Sequence, residues 1–192
     1  MSLEKIVKHN GNILGHGLDA LIPSGNFKYW EKDRNLLDKS IIAKLADAKE
    51  SEEVKQLYQG DIQSFYGKSM NFALDKAGKP NKQPDHYVYM DLPKNVIAAV
   101  IHLDGKIILA YNSLYAGDLR NNGVLRTYVN MHEHAHIRGV FSESYTEGLV
   151  KDAAKYLQVM LGQKYDDISK YVKGIAQQIK EVASLRERYS PA

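Results

Sequence analysis

Cysteine is absent from the 192 residues, which excludes disulfides and a thiol nucleophile. No apolar run approaches the roughly eighteen residues of a membrane-spanning helix. The opening residues, MSLEKIVKHNGNILGHG, lack both the apolar stretch and the cleavage site of a signal peptide. A cytoplasmic protein without a membrane partner is therefore expected. Charge of one sign is also missing: 26 Lys and Arg against 23 Asp and Glu leave a net charge of +3. The lysines are interleaved with acids along the chain, which reads as a solvated surface and not as a nucleic-acid interface. There is no internal repeat and no long low-complexity stretch. With 44% hydrophobic residues, the length suits one domain, 1–192, with a sizeable core.

The expected order of elements is α+β. Residues 1–30 read as irregular, with turn signals at Asn10-Gly11 and Pro23-Ser24-Gly25. Residues 33–78 read as two helices broken near Glu50-Ser51, with Leu36, Leu37, Ile41, Ile42 and Leu45 forming an apolar stripe. A loop with Pro80 and Pro84 follows. Residues 86–92 and 96–103 have strand character, and Asp104-Gly105 fits a tight hairpin turn into 106–112. Residues 113–121 (SLYAGDLRN) read as a loop, and 122–189 as almost wholly helical, ending in a long helix from about Asp166.

Histidine is concentrated: three of seven fall within 132–136, which read His-Glu-His-Ala-His. His132, Glu133 and His136 make the pattern His-Glu-x-x-His. On a helix, residues four apart stand one turn apart on the same face, so both imidazoles can reach one cation. A glutamate directly after the first histidine projects beside that cation, placed to take a proton from an activated water. The flanks suit a helix over 123–138. No proline interrupts it, Leu125, Tyr128, Val129, His132 and His136 share one side, Asn121 or Asn122 can cap its start, and Gly139 can end it in a left-handed conformation.

Three other readings compete. A histidine-rich surface helix can carry the pattern by accident. As a strand, His132, His134 and His136 would line one face, but the preceding residues do not alternate. A carboxylate-bridged di-iron bundle would use Glu133 and His136 together with a second Glu-x-x-His, which this chain lacks.

A catalytic zinc usually takes three protein ligands and leaves one position open. His134 turns away from the other two histidines and is expected at the surface or in a supporting role. The carboxylates just downstream are Glu143 and Glu147, in SESYTEGLVKDAAKYL, where a second helix can begin near Ser142 or Ser144 and run to about Leu161. Glu147 has a competing role, because Ser144-x-x-Glu147 matches a capping box. Glu143 suits a first-turn acid favoured by the helix dipole.

Residues 132–148 resemble the zincin metallopeptidases, and among them the gluzincins, whose third ligand is a glutamate on a helix after the motif. Glu147-Gly148-Leu149 is similar to the Glu-Gly-Leu around that ligand in several of these families. The metzincin branch fits less well: its third histidine position is Ser142, and Met160 falls inside the second helix, where no methionine turn can form. Lys151, followed by Asp152, stands where thermolysin-type gluzincins carry an aspartate. The resemblance implies one zinc ion held by His132, His136 and Glu147, with Glu143 as the alternative ligand, and Glu133 as general base and acid in peptide hydrolysis. It also implies a small antiparallel sheet before the active-site helix, whose edge could pair with a peptide or protein substrate. Tyr145 is a candidate donor to the developing oxyanion, with Tyr111 and Tyr115 beside it. The competing functional expectation is a zincin-like module that binds metal and recognises a protein without efficient turnover. A helical partner-binding protein without metal is the third.

Overall fold

In the computed structural model, residues 41, 43–93, 96–103 and 105–161 are described. The expected irregular segment 1–30 and the terminal helix from Asp166 lie outside these residues. The architecture is α+β, built as two compact units from interleaved stretches of chain. The described residues up to Gln56 combine with Lys82–Ala116 in one, and Leu57–Asn81 combines with the residues from Gly117 onward in the other.

The first unit holds the sheet. Its strands are β1 (His86–Met90), β2 (Ala98–Leu103) and β3 (Lys106–Asn112). β2 and β3 form the expected hairpin, with Gly105 at φ +71° in the turn, where an L side chain would be strained. The sheet is not antiparallel throughout, which corrects the expectation. Its order is β1-β3-β2, and β1 pairs with β3 in parallel, His86 opposite Ile108 and Met90 opposite Asn112. The linker after β1 therefore passes over the end of β3 to reach β2. Asn112 secures that crossing: its amide donates to the carbonyls of Leu92, Pro93 and Val96, and its backbone N–H bonds Ile97. Strand patterning alone cannot reveal such an order, because it records which residues face inward and not which neighbour each strand takes. Val88 and Met90, Ala99, Ile101 and Leu103, and Ile108 and Ala110 alternate onto one face, where they pack with Ile41 and Leu45 in a single core. Residues 113–121, expected as a loop, form a 3-10 turn (Ser113–Tyr115) and a short helix α3 (Ala116–Asn121). The Asn112 side chain starts the turn by accepting the Leu114 N–H at 3.1 Å.

Helices build the second unit. α1 (Glu52–Gln63) enters it and α2 (Phe65–Lys76) follows after a single residue, Ser64. The expected break at 50–51 is present, and Ser64 adds a second one. Its backbone is extended (ψ 170°) and its hydroxyl accepts the Gly67 N–H, the capping arrangement that starts a new helix. The joint is tight: a β-carbon at Gly67 would stand 2.0 Å from the Ile62 carbonyl oxygen. α4 (Gly123–Ile137) and α5 (Glu143–Leu161) complete the unit and pack on α2 and on each other. Among the described residues, no helix is long and apolar enough to cross a membrane.

Candidate metal centre

α4 begins where Asn122 accepts the Leu125 N–H at 3.0 Å and ends at Gly139, φ +84°. The end is a Schellman arrangement, with Val140 N–H bonded to the Ala135 carbonyl and Gly139 N–H to that of His136. Between Tyr128 and Arg138 every residue is buried, including Asn130, His132, Glu133, His134, His136 and Arg138. Polar groups inside a protein must find partners, so their contacts show what each side of this helix is for.

One side is structural. Asp61, on α1, accepts from the Arg126 guanidinium (3.0 and 3.4 Å), the Thr127 hydroxyl (3.2 Å) and the Asn130 amide (2.8 Å). Lower down, His134, expected at the surface or in a supporting role, is fully buried, which corrects the surface alternative. Its Nε2–H donates to Asn71 Oδ1 at 2.7 Å and its Nδ1 accepts from the Tyr58 hydroxyl at 2.7 Å. Burial, aided by the Arg138 charge and opposed by Asp75, lowers its pKa to about 3, so the ring is neutral. Arg138 closes this side. Its guanidinium donates to Asn71 Oδ1, to Asp75 and to the carbonyls of Asn71, Lys79 and Pro80, gathering the end of α2 and the turn after it.

The opposite side carries His132 and His136. Their Nε2 atoms face each other at 3.0 Å, and the rings meet nearly edge-on at 70° with centroids 4.8 Å apart. A tetrahedral zinc, with Zn–N of about 2.0–2.1 Å, sets two imidazole nitrogens roughly 3.3 Å apart, so the pair stands close to chelating geometry. The outer nitrogens determine what the inner ones offer. His136 Nδ1–H donates to the Val140 carbonyl at 2.6 Å, and His132 Nδ1 faces the Glu147 carboxylate at 3.4 Å. With a proton on each Nδ1, the neutral rings direct two Nε2 lone pairs at one another. A shared proton or a metal cation reconciles them. The donor set fits zinc, and both outer partners, a backbone carbonyl and a carboxylate, are of the kind that orient metal-bound histidines.

Glu147 arrives from α5. Its Oε1 accepts the Tyr128 hydroxyl at 2.6 Å and is the same oxygen that faces His132. The facing His132 imidazole, opposed by burial and helped by the Tyr128 hydroxyl and the Lys151 charge, lowers its pKa. The competing capping box does not form here. α5 starts one residue after Ser142, whose hydroxyl accepts the Tyr145 N–H, so Ser144 is not the cap and Glu147 is available to the histidines. The carboxylate addresses the outer nitrogen of His132 and not the gap between the two Nε2 atoms. Among the described residues, no three ligating side chains are already gathered around one point.

Glu133, one residue on from His132, is fully buried. Glu143 opens α5, and its side chain lies outside the described residues. Tyr145 is 46% exposed, with the Lys79 ammonium 5.8 Å over its ring. Tyr111 and Tyr115 are buried members of the sheet unit. The tyrosine that does reach Glu147 is Tyr128, which was read only as part of the inward stripe. Its signal is the spacing 128, 132, 136, which puts the phenol one turn before the first imidazole and two before the second.

No family model, curated protein or solved structure matches this chain.

Proposed function

We propose that the chain is a cytoplasmic zinc metallopeptidase of zincin-like, gluzincin-like architecture. The observation that carries this reading is the His132–His136 pair, with inner nitrogens 3.0 Å apart and outer nitrogens directed to a carbonyl and a carboxylate. An accidental histidine cluster on a surface helix would have no reason to be buried, or to have its outer nitrogens engaged in this way.

His132 and His136 would hold the ion, with Glu147 as third ligand through a change in its side-chain torsions. Zinc held there would supply Lewis-acid polarisation of a substrate carbonyl and would lower the pKa of water towards neutrality. Glu133 is the proton carrier. Its carboxylate takes the proton released as water attacks the peptide carbonyl and returns it to the leaving amine. Its burial keeps that transfer away from bulk solvent. The polar contacts of Asp61, Asn71 and Arg138 fix the helix on which all three motif residues stand, giving the preorganisation that catalysis requires. The substrate class is a peptide or protein.

A second reading is favoured by one specific observation: Glu147 lies on the outer nitrogen of His132. If it remains there when metal binds, the site has two protein ligands, and a metal-dependent recognition or regulatory module becomes the better description.

Zinc content per chain, measured by elemental analysis, tests the proposal. The native protein should carry about one zinc, and His136→Ala none. No zinc in the native protein after incubation with the metal would overturn the metal site and the peptidase together. One zinc retained in Glu147→Ala, with no turnover of any peptide in a broad substrate library, would favour the recognition module.

A further inference from the structure

We infer that Tyr128 is a positioning residue of this centre: its hydroxyl holds the Glu147 carboxylate at the histidine pair. The inference rests on the metal-site reading above and adds to it a residue that the His-Glu-x-x-His pattern does not contain.

The two histidines come from one turn of one helix and are held by it. Glu147 comes from a different helix and ends in a long, rotatable side chain, itself 37% exposed. Fixing such a chain costs rotamer entropy. Tyr128 fixes this side chain in advance against the outer nitrogen of His132. It has two side-chain torsions, is only 7% exposed, and lies on the His132 face of α4. Its ring centroid is 6.4 Å from that of His132, with planes 34° apart. The hydroxyl reaches Oε1 at 2.6 Å, the length of a charge-assisted O–H···O⁻ bond. Both described contacts of the carboxylate fall on Oε1, one from Tyr128 and one from His132. The carboxylate so held addresses the outer nitrogen of His132 and orients the imidazole whose Nε2 would meet the cation. Tyr128 touches the carboxylate and would act through it.

A tyrosine joining α4 to α5 could do no more than hold two helices together, and the test must separate that role from positioning. Zinc affinity is measured by competition with a chromogenic chelator for the native protein, Tyr128→Phe, Glu147→Ala and the double variant, with thermal unfolding of each metal-free protein alongside. Cobalt(II) is then substituted for zinc and its visible spectrum recorded. If Tyr128 positions Glu147, Tyr128→Phe weakens zinc binding by about 10–100-fold, leaves the metal-free melting temperature nearly unchanged and alters the cobalt spectrum. In the Glu147→Ala background, removing the hydroxyl then adds no further loss, because its effect passes through the carboxylate. One zinc bound by Tyr128→Phe as tightly as by the native protein, or losses that simply add in the double variant, would overturn the inference and leave the metal site standing. Absence of zinc from the native protein would instead remove the metal-site reading, and this inference with it.

Discussion

The Nδ1–H of His136 is donated to the carbonyl of Val140 at 2.6 Å, so the residue that follows the helix-ending glycine fixes the tautomer of the second motif histidine. Gly139 makes the contact possible. At φ +84° it turns the chain back on itself, places the Val140 N–H on the Ala135 carbonyl and leaves the Val140 carbonyl beside the imidazole. Helix termination and nitrogen chemistry are thus settled by one backbone conformation.

Gly139→Ala should therefore be costly twice. A β-carbon in the left-handed region costs about 1–2 kcal/mol, and a displaced Val140 carbonyl releases His136, for which a 10–100-fold loss of zinc affinity is expected. Gly60 provides the contrast: it lies within α1, is exposed, and a β-carbon there would meet nothing within 4 Å. Gly60→Ala should stabilise by about 0.5–1 kcal/mol. Urea denaturation of both variants checks the signs. Equal effects would mean that Gly139 is not held in this conformation.

Removing the correct cap of α5 should be measurable. Ser142→Ala deletes the hydroxyl that accepts the Tyr145 N–H and should cost about 1 kcal/mol. Ser144, one residue inside the helix and exposed, should be neutral or gain a few tenths of a kcal/mol when changed to Ala. The reverse order, from thermal or urea unfolding, would restore the Ser144–Glu147 capping box and withdraw Glu147 from the histidines.

These caps also show where the sequence could be read and where it could not. Local chemistry was legible: Asn122 and Gly139 bound the motif helix, Asp104-Gly105 marks the hairpin, and helical spacing puts His132 and His136 on one face. What escaped reading depends on distant partners. Ser64 looks like any helical serine until its backbone is seen to be extended. β1 has the residues of a strand, but its parallel pairing with β3, and the bonds from Asn112 to the linker that crosses to β2, join residues about twenty apart. For His134 periodicity leaves the surface and a supporting role both open, since nothing within its own helix reveals that Tyr58 and Asn71 will meet it. Asp61 is 65 residues from Arg126, and Arg138 is 63 from Asp75. No window on the sequence contains both members of either pair.

The long-range contacts carry their own prediction. Asp61 is 6% exposed and accepts from three side chains of α4. Asp61→Ala leaves Arg126 and Asn130 without that acceptor and should destabilise by about 2–4 kcal/mol. Arg138→Lys keeps the charge but cannot reproduce the fork of donors to Asn71, Asp75, Lys79 and Pro80, and should cost about 2 kcal/mol or more. Denaturant midpoints decide the matter: a change below about 0.5 kcal/mol in either variant would show that the clamp does not hold the helix.

Glu133 separates an enzyme from a metal-dependent binder. A site that only binds metal has no use for a carboxylate beside the first histidine, whereas hydrolysis needs a group to carry the proton from water to the leaving amine. Glu133→Gln keeps the shape of the buried side chain and removes its basicity. Zinc content should stay at about one per chain, and peptide hydrolysis should fall by at least about 100-fold. The comparison is informative because the two readouts are independent. Zinc lost in the variant would make Glu133 part of the metal's support. Zinc retained with undiminished turnover would require a different base, and the mechanism built on this residue would fall.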